Sequence, residues 1–326
     1  MTIAETVASG DLDALVRLVD GLCVNREWSG VVELRDRCRH AIERGLQLWP
    51  AAEYAEYRLA LDASPEFAGP VVTETAGRFA LGPLWEVAAS THGWGELEPH
   101  LPAGPARAMA GHERVLRGDH VPAAEVDGVI FELPLQIEPW EPTYPLAVYR
   151  PSEAQFPTPT RPRFEESEVA AAPTVTDDDA EEALRDLVRP WAEQSNGRAA
   201  TVAVAGDALG AVGALGHESV MAVRIDGADA LAWMAWAAAD GGAYGRRRGG
   251  PAGRFAAWWA AATMADLDWP PDPDDLGAAI DELSWWLWEP PDAAPGWHLH
   301  LAVDDPEHGL GWALSAEDHH REDETD

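Results

Sequence analysis

Two alanine-rich apolar segments separated by a loop of glycine and arginine set the tightest limit on what this chain can form. Residues 228–239 carry Leu231, Trp233, Met234 and Trp236, and residues 251–265 carry Phe255, Trp258, Trp259 and Ala262. The second set falls at i, i+3, i+4 and i+7, which places it on one face of a helix. Pro251 marks the start of that helix, where a missing N–H costs nothing. Two such helices expose little polar surface, so each must be covered nearly all round. The loop of residues 240–250 joins them and concentrates Arg246, Arg247 and Arg248, with Arg254 one turn into the second helix.

The rest of the chain divides around this module into an α+β two-domain arrangement. Residues 1–120 predict an all-α domain, a helical bundle or a solenoid-like stack. Apolar stripes run through Leu12, Leu15, Val16 and Val19, then Val31, Leu34, Cys38 and Ile42, and a third helix follows Pro50. No clean repeat period accompanies them. Residues 121–173 are dense in proline and predict an extended linker, with a flexible joint at 165–173. Trp140, Tyr144, Tyr149 and Phe156 within it need a surface to pack on.

Residues 174–316 predict a mixed α/β domain with a small sheet. Thr176 caps a helix with Asp177, Asp178 and Asp179 in its first turn. Strand 199–205, a short helix, strand 219–225 and the two-helix module come next. A helix from Asp274 toward Trp285 leads to a hairpin of 297–303 with 310–316. Residues 317–326 form an acidic tail.

Charge narrows the function. The chain carries 57 acidic residues against 23 basic ones, all arginine, for a net charge of −34. Such a surface repels phosphate backbones and anionic lipid, so nucleic acid and membrane are not expected partners. Without lysine there is no Schiff base, no pyridoxal-phosphate anchor and no phosphate-loop lysine. High-GC codon usage accounts for that absence, as does selection against lysine modification. Cys23 and Cys38 do not make a disulfide framework. With no apolar run long enough for a bilayer and no leader pattern at residues 1–6, a cytoplasmic location is expected.

Four features are candidates for chemistry. The first is the arginine loop, where Arg246, Arg247, Arg248 and Arg254 near a helix start could grip a phosphate or carboxylate. The opposing reading pairs them internally with Asp226, Asp229, Asp240 or Asp266. The second is Gly206, Gly210 and Gly213, spaced GxxxGxxG where a dinucleotide loop needs GxGxxG; close helix–strand packing is the simpler account. The third is His298 and His300, which share a strand face with Asp304 at a spacing that suits a metal ion. The fourth is Trp285 and Trp286, which as neighbours cannot share a face, so at least one should be exposed, as part of an aromatic patch, or meet the other domain; a tryptophan-rich core is the simpler account. His112–Glu113 opens like a zinc-protease helix, but Leu116 stands where the second histidine is needed. No serine elbow or cysteine–histidine motif occurs, and no cofactor is expected.

The block of Trp233, Gly242, Ala243, Tyr244, Gly245, Arg246, Arg247, Arg248, Gly249, Gly253, Arg254, Phe255, Ala256, Ala257, Trp258 and Trp259 continues with Gly296, Trp297, Asp305, Pro306, Gly309, Trp312, Ala313 and Leu314. It resembles an uncharacterised family of proteins from high-GC bacteria, a domain of unknown function. The resemblance implies no activity and brings no site residues. The sequence therefore favours a non-enzymatic binding or interaction protein whose glycine/arginine loop holds an acidic group, with a protein or an acidic small molecule as partner. The alternatives are an enzyme acting on a phosphorylated or carboxylated small molecule, and an acidic decoy for a basic protein. Oligomeric state is not legible.

Overall fold

The computed structural model describes residues 2–72, 80–126, 130–293 and 295–320. They form two compact units: residues 1–136 with 146–156, and residues 137–145 with 157–326. Residues 127–129 of the predicted linker and residues 321–326 of the acidic tail lie outside the described residues.

The first unit is helical, as its apolar periodicity predicts. Its elements are α1 (Ile3–Ser9), α2 (Leu12–Val24), α3 (Trp28–Glu43), α4 (Trp49–Asp62), α5 (Pro65–Val71), α6 (Leu84–Thr91), α7 (Trp94–Leu97) and α8 (Pro105–Leu116). Thr2 and Glu5 close a reciprocal capping box on α1, satisfying amides that the first turn leaves unpaired. Helix α4 is the hub, touching α2, α3, α5 and α6. Small side chains make that possible: Ala51, Ala52, Ala55 and Ala60 are all buried. A short hairpin, β1 (Val148–Tyr149) with β2 (Ala154–Gln155), belongs to this unit. It is anchored where Tyr149 Oη donates to Glu86 Oε2 at 2.6 Å and Tyr57 Oη donates to the Arg150 carbonyl at 2.6 Å.

The second unit is an antiparallel sheet covered on both faces. Its strands are β3 (Glu165–Glu168), β4 (Thr174–Val175), β5 (Arg198–Ala205), β6 (Ser219–Ile225), β7 (Ser284–Glu289), β8 (Trp297–Asp305) and β9 (Leu310–Asp318). They lie in the order β3-β6-β7-β8-β9-β5-β4. The expected small sheet is thus seven-stranded. The segment 284–289, expected to end a helix, is instead a central strand. Its near-continuous run of tryptophan and leucine suits a strand with both faces buried. Glu317 and Asp318, assigned by sequence to the tail, extend β9, and Asp318 is fully buried.

Helices α9 (Asp178–Asp186), α10 (Arg189–Gln194), α12 (Gly227–Ala239) and α13 (Gly250–Met264) gather on one face, with α14 (Pro273–Glu282) beside α13. The alanines of α12 and α13 let the two backbones meet. A Cβ on Gly253 would collide with the Ala235 carbonyl oxygen, so this position needs glycine.

The other face carries α11 (Ala208–Ala214). Residues 165–173, expected to be a flexible joint, run from β3 at one sheet edge to β4 at the other, packed over α11. The glycines of the GxxxGxxG spacing make room for this crossing. A Cβ on Gly210 would stand 2.8 Å from Ala172 Cβ, and one on Gly213 would stand 2.5 Å from the Ala170 carbonyl carbon. Their role is packing.

Candidate functional site

The α12–α13 loop is held in place largely by protein acceptors. Ala243 N donates to Asp318 Oδ2 at 2.7 Å, Gly242 N to Asp240 Oδ1 at 2.9 Å, and Tyr244 N to Ser195 Oγ at 3.0 Å. Arg248 N donates to the Ala239 carbonyl at 2.8 Å. These amides are committed and cannot also cradle an anion. The three consecutive arginines differ in surroundings. Arg246 is exposed. Arg247 lies within the field of Asp240, whose own carboxyl is pushed up chiefly by burial. Arg248 is half-buried, with Nη1 3.4 Å from the Asp186 main-chain oxygen. Burial lowers its pKa, against the raising effect of Asp186. The neighbouring Arg189 is tied to Glu182, Asp186 and Glu193.

Arg254 leaves this group altogether. It is 1% exposed and points into the core, where its Nε and Nη2 reach the two Glu141 carboxylate oxygens at 2.7 and 2.6 Å. The same carboxylate accepts from Trp258 Nε1 at 2.9 Å, Tyr144 Oη at 2.6 Å and Glu138 N at 2.9 Å. The Arg254 guanidinium also lies over the Trp258 ring, 5.2 Å from its centroid. Five donors saturate one buried carboxylate, and this arrangement fixes residues 137–145 within the second unit. Helical phase explains the departure: at the fifth position of α13, Arg254 faces inward while the loop arginines precede the helix.

The histidine prediction divides in the same way. His298 and His300 are on β8 with rings stacked at 5.8 Å, and His300 also lies 4.6 Å from Trp288. Asp304 shares their sheet face but is two residue pairs further along. Its Oδ1 accepts from Ala208 N at 3.2 Å, and burial raises its pKa. It therefore caps α11 instead of joining the histidines. Among the described residues, no group of three or more His, Cys, Asp or Glu is placed to hold a metal ion.

The ground around the two histidines is unusual. The β7–β8 ladder runs from Ser284↔Asp304 to Leu287↔Leu301 and goes no further, so the two strands part beside Trp288 and His300. The cleft between them is lined by Trp288, Glu289, His298, Leu299, His300 and Trp233, and leaves room for about 20 Å³, one water-sized group. Phe164 and Arg161 close its rim, with Arg161 paired to Glu289. Helix α11 is only seven residues long and ends short of this corner. His217, 4.8 Å from Trp288, helps to cover it.

His300 Nδ1 is 3.3 Å from Ser315 Oγ, and burial lowers its pKa to about 3, with His298 and His217 adding to the shift. It is therefore neutral at ordinary pH. Four buried polar atoms at this cleft have no hydrogen-bond partner among the described residues: His300 Nε2, both ring nitrogens of His298, and Trp288 Nε1. A buried polar atom without a partner costs roughly 1–3 kcal/mol, so their concentration in one cleft is not incidental.

Trp285 and Trp286 form no exposed patch; the core reading fits them. Trp285 is 1% exposed and donates to the Ile280 carbonyl at 2.9 Å; Trp286, on the opposite face, packs against the α11 cluster. Their alternation was read correctly, but both faces of β7 are covered. The open aromatic surface lies on α13 instead. Phe255, Trp259 and Trp269 pack together with ring centroids 5.2–6.3 Å apart, and Trp259 is 36% exposed. Exposed Asp266, Asp268 and Asp272 flank Trp269 in the following loop, and exposed Asp274 stands in the first turn of α14. The spacing had placed Phe255, Trp258, Trp259 and Ala262 on one face; the structure turns Trp258 and Ala262 inward and leaves Trp259 exposed and Phe255 half-buried.

No helix among the described residues is long and apolar enough to cross a membrane. No curated protein and no solved structure matches the chain. One family model, described as a family of unknown function (DUF6183), matches residues 3–313, and the chain belongs to that family.

Proposed function

We propose that the protein acts by binding, and that what it receives is a positively charged segment of another protein. The observation that carries this reading is the Phe255–Trp259–Trp269 cluster, with Trp259 exposed on α13 and four exposed aspartates close to Trp269 along the chain. Aromatic faces attract guanidinium and ammonium groups, and nearby carboxylates strengthen that attraction. No arginine occurs along the chain between Arg254 and Arg321. The overall charge of −34 speeds the approach of a basic partner.

The test is titration with an arginine-rich peptide at physiological salt. Trp259→Ala should weaken binding about tenfold or more, the usual cost of an aromatic anchor. Changing Asp266, Asp268 and Asp274 to Asn should cost more affinity than changing Glu43, Glu218 and Glu282 to Gln. Equal losses from the two triple variants would mean diffuse charge alone, and the reading would fail.

A second reading keeps the arginine loop as a receptor for an anionic group, phosphate or carboxylate. Arg248 favours it: a half-buried guanidinium whose nearest acceptor is a main-chain oxygen at 3.4 Å. Changing Arg246, Arg247 and Arg248 to Gln should abolish retention of a phosphorylated or acidic ligand while leaving thermal unfolding unchanged; unfolding of the variant would instead mark the loop as structural. An enzyme on an acidic small molecule gains less support, because the cleft beside His298 and His300 is lined by Arg161 and not by the loop arginines.

A further inference from the structure

The geometry points to a transition-metal site in the β7–β8 cleft: a late first-row ion such as Cu2+ or Zn2+, held by Nε2 of His300 and a ring nitrogen of His298. Its remaining positions would be taken by solvent or an exogenous ligand that accepts a hydrogen bond from Trp288 Nε1.

Three observations carry this. First, His298 and His300 stand at i and i+2 on one strand, on one face of the sheet, with rings inclined at 25°. Imidazole nitrogen suits the late first-row ions better than it suits Ca2+ or Mg2+.

Second, the unpartnered atoms are those such an ion would use. His300 is 4% exposed and Trp288 1%, yet His300 Nε2 and Trp288 Nε1 have no partner among the described residues, and neither do the ring nitrogens of His298. An ion takes a lone pair from each ring, and its bound water or anion accepts the indole N–H. One occupant thereby accounts for His300 Nε2, one ring nitrogen of His298 and Trp288 Nε1, which the fold otherwise buries at a cost.

Third, His300 is already oriented. Ser315 Oγ, 3.3 Å from Nδ1 on the neighbouring strand, can accept the Nδ1–H and leave the Nε2 lone pair directed at the cleft. A hydroxyl in this position does what outer hydrogen bonds do for metal-bound histidines in general, fixing both tautomer and ring plane. Ser315 is thus a positioning residue. Only two protein ligands are supplied, which leaves the ion open to an external ligand. This site is separate from the aromatic surface on α13, and neither inference depends on the other.

A chain this acidic gathers divalent ions loosely on its carboxylates, so stoichiometry alone decides nothing. The test is Cu2+ titration of the untagged full-length protein, stripped of metal and held in a large excess of Ca2+ to occupy carboxylate sites. The readout is electron paramagnetic resonance. One copper per chain with couplings to two imidazole nitrogens is expected. His298→Ala should remove one nitrogen coupling and weaken binding at least tenfold. Ser315→Ala should weaken it less and change the coupling pattern. His319→Ala/His320→Ala in the tail should leave the signal unchanged. His298 is half-buried on its strand, so its variant stays interpretable even if His300→Ala fails to fold; circular dichroism checks this. No nitrogen-coupled copper, a signal indifferent to His298, or one that vanishes with the tail pair would overturn the assignment and leave the cleft a place for ordered water only.

Discussion

Two polar clusters are buried in the sheet-containing unit, and they are completed to very different degrees. Around Glu141 every lone pair has a donor: Arg254 with two, then Trp258, Tyr144 and Glu138. Around His300 only Ser315 stands within hydrogen-bond range of one nitrogen, while the other faces a small cleft with the His298 ring and the Trp288 indole. The first cluster gains nothing from a further partner, which is what a structural device requires. The second can be completed only from outside the described side chains. The two clusters differ not in depth of burial but in saturation.

The largest effect should come from breaking the saturated cluster. Arg254→Ala leaves the Glu141 carboxylate buried beside only neutral donors, and loss of one member of such a pair typically costs about 3–5 kcal/mol. Arg254→Lys should recover only part of this, since a single ammonium cannot span both oxygens as the guanidinium fork does. Denaturant unfolding followed by tryptophan fluorescence measures both. A loss below about 1 kcal/mol for Arg254→Ala, the level of an exposed ion pair, would remove the contrast between the clusters.

Acid should act on the unsaturated cluster next. His300 has its pKa lowered from 6.5 to about 3, so below pH 6.5 the unfolded chain takes up a proton that the folded chain refuses. The associated stability is whole above pH 6.5 and is lost as pH falls toward 3, by at most about 1.4 kcal/mol per pH unit for one such group. Carboxylates also titrate toward the lower end of this range, so the informative quantity is the wild-type slope minus that of His300→Leu, measured without metal between pH 6.5 and 5. Identical slopes would mean that His300 protonates freely in the fold and that the cleft is wet.

What could be read from sequence follows from the range over which each interaction acts. Helices α12 and α13 were legible because periodicity is local, and so was the hairpin of β8 and β9 through its alternation and turn residues. Strand β3 was hidden because its residues Glu165, Glu166, Ser167 and Glu168 have no apolar alternation; an edge strand needs none. Strand β7 was hidden for the opposite reason. Trp285, Trp286, Leu287 and Trp288 are apolar without interruption, and period alone does not distinguish a doubly buried strand from a helix. The arginine site lost Arg254 to a partner 113 residues away, which no local pattern can announce. The spacing of His298 and His300 gave a shared face correctly. It could not say that Asp304 would cap α11, or that β7 would part from β8 beside the two rings.

The smallest effect is also the most diagnostic, because its sign differs between the clusters. Replacing Glu141 by Leu removes a carboxylate but strands the Arg254 guanidinium, so it must destabilise. Replacing His300 by Leu removes a nitrogen that had no partner and gives up one contact with Ser315. Buried unpaired polar atoms are unfavourable, and an apolar side chain of similar volume in that position should leave metal-free stability unchanged or raise it by about 1 kcal/mol. The same substitution should abolish any Cu2+ binding. A protein that becomes firmer as it loses a ligand is what a site retained for function predicts, since marginally stable folds tolerate such costs where activity requires them. If His300→Leu instead destabilised the metal-free protein by as much as Glu141→Leu, the histidine would have to be counted among the groups that hold the sheet together, and the two clusters would be alike.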